Sequence, residues 1–308
     1  MFGIPALRAL AERPDLVDLR GVVSAPMRPA GRRGRLRPSP VGDPAAQLGM
    51  VPILTPERLR APAAIAEVLA LDPELIVLAD YGQIVPGALL DLPFGALNLH
   101  PSALPRHRGA SPIPATILAG DERTAVALMR MDAGLDTGPL VAVELVPLLG
   151  DETAPDLEQR LAQVGADLLL RSLGPWLRGE LPARPQAAEG ASLAKPLRRA
   201  DGRLDPTTPA ETLERQVRAF QPWPGSWFEA GDQRVTVRAA HVLPGRGDEQ
   251  GLLVPAGDGL GLVTSDGVLE LVDVQPAGGR RMSGAELVRG RPGLLGRATE
   301  GPANGAMG

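Results

Sequence analysis

The chain has 308 residues, of which 44% are hydrophobic and 22% charged, and this composition suits a folded protein of about two domains. The formal net charge of −4 excludes a uniformly basic nucleic-acid-binding surface, so any such contact must come from local patches. The chain has no cysteine, which excludes disulfide frameworks, thiolate zinc sites and cysteine nucleophiles. No stretch approaches the ~20 apolar residues of a membrane-spanning helix, so we expect a soluble, cytoplasmic protein with no membrane contact.

The first part of the chain alternates short apolar segments of β type with helical patterns. The β-type segments lie at 20–24, 74–80, 96–100 and 125–131. This alternation predicts an α/β domain with βαβ units and a mainly parallel, Rossmann-like sheet over residues 1–181. Its last helix has one apolar face, with Leu157, Leu161, Val164 and Leu168, and should end at Gly174-Pro175.

The second part of the chain begins after a segment without periodicity. Residues 182–206 are rich in Ala, Pro, Gly and Arg, which predicts an interdomain linker. A helix should then start with Thr208 as N-cap, Pro209 at its first position and Glu211 completing a capping box. Short alternating segments punctuated by glycine follow, and they predict a small OB-like β-barrel domain over 207–297 with a tail at 298–308.

Two polar residues end the β-type segment at 96–100. Asn98 and His100 are two positions apart on a strand, so both side chains project from the same face. At the carboxyl end of a strand in an open α/β sheet, an amide and an imidazole can donate hydrogen bonds to a developing oxyanion. Taken alone, an Asn-x-His triplet is more often a histidine whose ring is satisfied at a strand end.

A second polar cluster follows the β-type segment at 125–131. It carries Asp132 and Asp136 in a glycine-rich loop. A carboxylate near a histidine can hold the tautomer of the ring, raise its pKa and position a water molecule. Taken alone, Asp136-Thr137-Gly138 is more often only a turn.

Together the two clusters resemble the signature of the folate-dependent formyltransferase family, Asn-x-His-x-Ser-x-Leu-Pro followed by Asp-x-Gly-x-Asp-Thr-Gly. The matching residues are Asn98, His100, Ser102, Leu104 and Pro105, then Asp132, Gly134, Asp136, Thr137 and Gly138. Further segments resemble the branch of that family that acts on aminoacyl-tRNA: RPAGRRGRLRPSPV (28–41), ADYGQIVP (79–86), VRAFQPWPGSW (217–227) and QPAGGRRMSGAEL (275–287).

The resemblance implies transfer of a formyl group from 10-formyltetrahydrofolate to the α-amino group of methionyl initiator tRNA, for translation initiation, without a metal. By the family pattern, Asn98 and His100 stabilise the oxyanion, and Asp136 pairs with His100 and helps to move protons through water. The folate donor is expected to contact Gln83, Ile84, Ser102, Leu104 and Pro105. We expect the enzyme to act as a monomer.

Five arginines fall within ten residues of a segment punctuated by proline and glycine. They are Arg28, Arg32, Arg33, Arg35 and Arg37. Guanidinium groups suit phosphates and base edges, although charge alone is equally compatible with a solvated basic loop. In the family, this loop reaches the unpaired end of the acceptor stem of the initiator tRNA.

The chain departs from the family pattern at its start. Members open with a strand and a Gly-Thr-Pro-x-Phe turn, whereas Met1-Phe2-Gly3-Ile4-Pro5 matches the residues after that turn. We therefore expect the first strand to be missing and backbone groups of its neighbours to be exposed. Two alternatives stay open: a catalytically impaired RNA-binding relative, and a folate-dependent formyltransferase of a small amine.

Overall fold

The computed structural model describes residues 2–30, 35–37, 39, 41–49, 52–245 and 249–299. The chain divides into two compact units. The first comprises Met1–Pro112, Glu122–Leu148 and Asp156–Lys195, and the second comprises Ile113–Asp121, Leu149–Pro155 and Pro196–Gly308. The division predicted from the sequence, with boundaries at 181, 206 and 297, stays a prediction. None of the described helices is long and apolar enough to span a membrane.

The elements up to residue 195 follow one another in this order: α1 (Gly3–Ala11), β1 (Val22–Val23), β2 (Arg28–Ala30), β3 (Arg35–Arg37), α2 (Gly42–Leu48), β4 (Ile53–Leu54), α3 (Pro62–Leu69), β5 (Ile76–Ala79), α4 (Gly87–Leu90), β6 (Ala96–His100), β7 (Arg108–Gly109), α5 (Pro112–Ala119), β8 (Arg123–Arg130), β9 (Leu140–Pro147), α6 (Ala154–Leu177) and β10 (Leu193–Ala194). The predicted alternation of strands and helices is confirmed, and with it the α/β class.

The central sheet of the first unit has the strand order β5-β6-β8-β9. Strands β5 and β6 are parallel, as predicted, whereas β8 and β9 each run antiparallel to their neighbours. The reversal at β9 follows from its connection, because the chain returns from β8 through a loop at 131–139 with no crossover helix. Strand β6 lies inside this sheet and all five of its residues are buried.

A second parallel pair, β1 with β4, forms a separate two-stranded sheet. The N–H groups of Val22 and Ser24 both donate to β4, to the carbonyl oxygens of Pro52 and Leu54 at 2.9 Å. Within the described ranges, the other edge of β1 and the outer edge of β5 have no strand partner. The exposure of backbone groups at these two edges stays a prediction.

Helix α6 covers the sheet with the predicted apolar face, on which Leu157, Leu161 and Leu168 are buried. The predicted end at Gly174-Pro175 is wrong, because α6 continues through Pro175 to Leu177. The turn that ends it lies at Gly179, whose φ of +71° is the left-handed conformation that favours glycine after a helix.

The second unit contains η1 (Arg199–Gly202), α7 (Ala210–Ala219), β11 (Ser226–Ala230), β12 (Gln233–Leu243), β13 (Leu253–Ala256), β14 (Gly259–Val263), β15 (Val268–Pro276), β16 (Met282–Ser283), α8 (Gly284–Gly290) and η2 (Pro292–Leu294). Its strands form one antiparallel sheet in the order β11-β12-β15-β14-β13, with β16 added to β15. The predicted β domain is confirmed as an antiparallel half-barrel, since β11 and β13 do not pair within the described residues.

The sheet of the second unit covers one apolar core that includes Leu213, Phe228 and Leu262. The predicted capping box at the start of α7 is wrong. The helix begins at Ala210, whose N–H donates to the carbonyl oxygen of Asp266 at 2.9 Å, so a neighbouring turn replaces the side-chain cap.

Candidate functional site

Asn98 and His100 occupy the same face of β6, as their spacing predicts. Their side chains are almost completely buried, with exposed fractions of 5% and 4%. A buried amide or imidazole requires hydrogen-bond partners, because leaving it unsatisfied costs roughly 1–3 kcal/mol. The partners of both residues come from the loops that follow β6 and β8.

The loop after β8 presents Asp136. Its backbone has a φ of +53°, a left-handed conformation that an aspartate tolerates better than most residues. Asp132 supports this loop by accepting hydrogen bonds from the hydroxyl of Thr137 at 2.8 Å and the N–H of Gly134 at 2.9 Å. These hydrogen bonds hold the loop in a conformation that directs the side chain of Asp136 towards β6.

The carboxylate of Asp136 meets Asn98 and His100. Its Oδ1 atom lies 3.4 Å from Nδ2 of Asn98, and its Oδ2 atom lies 3.6 Å from Nδ1 of His100. The N–H of Gly109 donates to the same Oδ2 atom at 2.7 Å. The structure therefore brings the three residues of the predicted catalytic cluster together.

The ring of His100 faces a second acceptor, since Nε2 lies 3.0 Å from the carbonyl oxygen of His107. Burial lowers the pKa of His100, and it outweighs the Asp136 carboxylate and the His107 carbonyl, which raise that pKa. The ring is consequently neutral at pH 7. A neutral ring can donate to only one of these two acceptors, and a proton gained by the ring would place a positive charge beside the Asp136 carboxylate.

Gln83 and Ile84 follow β5, at the same edge of the sheet as the end of β6 because these strands are parallel. The amide of Gln83 accepts from the N–H of Leu59 at 2.8 Å and donates to the carbonyl oxygen of Pro56 at 3.1 Å. Ile84 is 79% exposed. An exposed apolar side chain at the carboxyl edge of parallel strands suits the flat face of a ring-shaped ligand.

The other predicted folate contacts lie in the loop after β6. Ser102 is fully buried and its hydroxyl donates to the carbonyl oxygen of Arg106 at 2.6 Å. Leu104 packs into an apolar cluster with residues of β8. The carbonyl oxygen of Pro105 accepts from the N–H of Ser192 at 3.2 Å. These contacts shape the loop, and a role in the wall of a ligand pocket stays a prediction.

The predicted tRNA-binding arginines belong to the segment of β2 and β3, which pair as an antiparallel hairpin. Arg28 lies opposite Arg37, and Arg35 lies opposite Ala30. Arg32 and Arg33 lie outside the described residues. The register therefore places the three described arginines on one short ribbon.

Two polar side chains that the sequence analysis did not single out also reach the site. Gln186 donates to the backbone of Asp136, and Ser192 accepts from the backbone of His107. These partners are 50 and 85 residues away in the chain, so no local spacing identifies them. Both lie in the segment 182–206, whose composition predicts a linker.

The described parts of the chain contain no group of three or more His, Asp or Glu side chains that could hold a metal ion. The polar atoms of the site are an amide, an imidazole and one carboxylate. This set can bind an oxyanion, position a water molecule and move a proton.

Comparison with known proteins gives consistent matches along the chain. Residues 5–173 match the family described as formyl transferase, and residues 196–292 match the formyl transferase C-terminal domain. A methionyl-tRNA formyltransferase of Halorhodospira halophila is 44% identical over 293 residues, covering 94% of this chain and 93% of the relative. A methionyl-tRNA formyltransferase of Thermus thermophilus is 45% identical over 292 residues, covering 94% of this chain and 93% of the relative.

Among solved structures, an N-formyltransferase of Helicobacter canadensis in complex with folinic acid and dTDP-3-aminofucose has a TM-score of 0.61. The match covers 87% of this chain and 94% of that one, at 15% sequence identity. This similarity supports the fold.

Proposed function

Because the chain belongs to the formyl transferase family and is related along nearly its whole length to methionyl-tRNA formyltransferases, we propose that Asn98, His100 and Asp136 catalyse its reaction. The reaction is formylation of the methionyl initiator tRNA. The observation that carries the catalytic assignment is the convergence of these three side chains in one buried cluster.

The formyl donor is a folate derivative, and we take it to be 10-formyltetrahydrofolate. The exposed Ile84 and the hydrogen bonds that fix the Gln83 side chain support a donor site beside the carboxyl ends of β5 and β6. Ser102, Leu104 and Pro105 form the opposite part of that wall in this proposal. The tRNA is held by Arg28, Arg32, Arg33, Arg35 and Arg37, whose guanidinium groups suit phosphates.

The chemistry requires a neutral amine to attack the formyl carbon, which gives a tetrahedral intermediate with a negative oxygen. Asn98 donates an N–H to that oxygen. The neutral His100 takes the proton that the amine loses, directly or through water held by Asp136. The protonated ring then donates to the His107 carbonyl and forms an ion pair with Asp136, and its charge stabilises the oxyanion.

The intermediate collapses when the bond between the formyl carbon and the donor nitrogen breaks. That nitrogen receives the proton from His100, which returns the ring to its neutral state. The formyl group remains on the methionyl amine, so atoms and charges balance over the two steps.

The test is formyl transfer to methionyl initiator tRNA by the wild-type chain and by Asn98→Ala and His100→Ala. Removing one oxyanion donor typically lowers the rate by about 10²–10³-fold. His241→Ala is the matched control, because the ring of His241 is exposed and lies 3.5 Å from Glu270 of the second unit. Full activity in both site variants contradicts the catalytic assignment.

The alternative acceptors are tested in the same assay. A small amine such as a dTDP-amino sugar replaces the tRNA in a parallel reaction, and turnover of the sugar alone supports a small-amine formyltransferase. Binding of tRNA without transfer of the formyl group supports the RNA-binding alternative.

A further inference from the structure

The segment at 184–194, here called the return segment, runs back along the loops of the site. The backbones of Leu140 and Arg184 exchange two hydrogen bonds, of 2.7 and 2.8 Å. Further on, β10 pairs in parallel with β7. The return segment is thus joined to the first unit at both ends, and between these ends it places two polar side chains against the site.

Gln186 uses both ends of its amide. Its Nε2 atom donates to the carbonyl oxygens of Asp136 and Gly138, each at 2.8 Å. Its Oε1 atom accepts from Nη2 of Arg108 at 2.7 Å and from Nε at 3.1 Å. A side chain held at four points has one orientation, and it fixes the backbone of Asp136 in the left-handed conformation that the carboxylate requires.

Ser192 performs the corresponding role on the other side of His100. Its hydroxyl accepts from the N–H of His107 at 2.9 Å, and its carbonyl oxygen accepts from the N–H of Arg108 at 2.9 Å. His107 also has a left-handed backbone, with a φ of +58°. The carbonyl oxygen of His107 is the acceptor that faces Nε2 of His100.

The return segment therefore holds both acceptors between which the ring of His100 lies. We propose that Gln186 and Ser192 are positioning residues for formyl transfer, which keep Asp136 and the His107 carbonyl in the places where they stabilise a protonated His100. This inference rests on the proposed role of His100 and adds two residues that act through its partners.

A positioning role predicts a specific kinetic change. Hydrogen bonds that orient the ligands of metal sites are typically worth about 10–100-fold in affinity or activity, and we expect these two side chains to have an effect of the same order. In Gln186→Leu and Ser192→Ala we expect kcat to fall by about that factor, with KM for the tRNA and the donor unchanged. The conservative Ser192→Thr retains the hydroxyl and should recover most of kcat.

The pH profile gives a second measure. The groups that face His100 are the Asp136 carboxylate and the His107 carbonyl, which raise its pKa, and the His107 ring, which lowers it. If the Asp136 carboxylate and the His107 carbonyl move away from the ring, the pKa of His100 falls further. The acid limb of kcat should therefore move to lower pH in Gln186→Leu and Ser192→Ala.

Gln163→Leu is the matched control, because Gln163 is exposed on α6 and donates to Asp167 at 3.1 Å. Each variant is assayed per folded molecule, with folding monitored by thermal unfolding. A lower melting temperature with wild-type kcat and an unmoved acid limb overturns the proposal and leaves a purely structural role. If Asn98→Ala and His100→Ala are inactive while Gln186→Leu behaves like the control, this inference alone fails. If those two variants are fully active, the proposed function fails instead.

Discussion

The backbone of Gly109 passes so close to Ala194 that a Cβ atom on Gly109 would lie 2.7 Å from the Ala194 carbonyl oxygen. Gly109 also has a φ of +111° and donates its N–H to Asp136. We expect Gly109→Ala to cost roughly 1–3 kcal/mol of stability from backbone strain, plus the cost of the collision, and to lower kcat by displacing Asp136.

The control for this substitution is Gly150→Ala. Gly150 has a φ of +94° with no atom within 4 Å of the added Cβ, so it reports backbone strain without a collision. Urea unfolding and initial rates measure both variants. Equal losses of stability and activity in Gly109→Ala and Gly150→Ala would contradict a specific contribution of the close contact between Gly109 and Ala194.

The buried His100 makes stability depend on pH. Its pKa is lowered in the folded state, so below the unfolded value near 6.5 the unfolded chain binds more protons than the native chain. Stability is therefore lost as the pH falls through that value. We expect the stability advantage of wild type over His100→Asn to shrink between about pH 8 and about pH 5.5.

Urea unfolding at both pH values measures this advantage. The exposed His241 supplies the control, since His241→Asn removes a ring that lies outside the core. A constant difference between wild type and His100→Asn across the range would show that His100 has no lowered pKa.

Much of the site follows from local sequence patterns. The alternation at 96–100 predicts the bounds of β6, and it places Asn98 and His100 on one face because strand periodicity is a local property. The end of α6 is not predictable in the same way, because Pro175 lies in its last turn and continuation depends on tertiary packing. The role of Gln186 is not predictable from the sequence, because its acceptors are backbone oxygens of distant loops. Every residue type has such an oxygen, so no sequence pattern marks the contact.

The arginine segment makes a separate prediction about tRNA. Reversing Arg32 and Arg33 to glutamate should weaken tRNA binding at moderate salt. The log-log slope of affinity against salt should also flatten by about 0.7–0.9 for each phosphate that the loop no longer neutralises. Arg171 and Arg178 are matched controls, because they pair with Glu144 and Glu180 on the same unit. Unchanged affinity in the Arg32 and Arg33 variant counts against binding of tRNA by this loop.

The unpaired edge of β1 makes a prediction about hydrogen exchange. Val22 and Ser24 donate to β4, so by alternation the N–H of Val23 points to the opposite edge, where no described strand pairs with it. We expect the amide of Val23 to exchange much faster than those of Val22 and Ser24. Equal protection of the three amides, measured by exchange in deuterated buffer, would mean that another segment covers this edge.

The reciprocal hydrogen bonds between Leu140 and Arg184 determine which fragments of the protein we expect to be active. A polypeptide that stops at residue 181 retains Asn98, His100 and Asp136, yet it lacks Gln186 and Ser192, whose side chains hold the backbones of Asp136 and His107. The smallest fragment worth expressing for catalysis therefore runs past Ala194, which pairs with Gly109 of β7. Residues 182–194, whose composition predicts a linker, therefore belong with the loops of the site, in agreement with the first unit, which runs to Lys195.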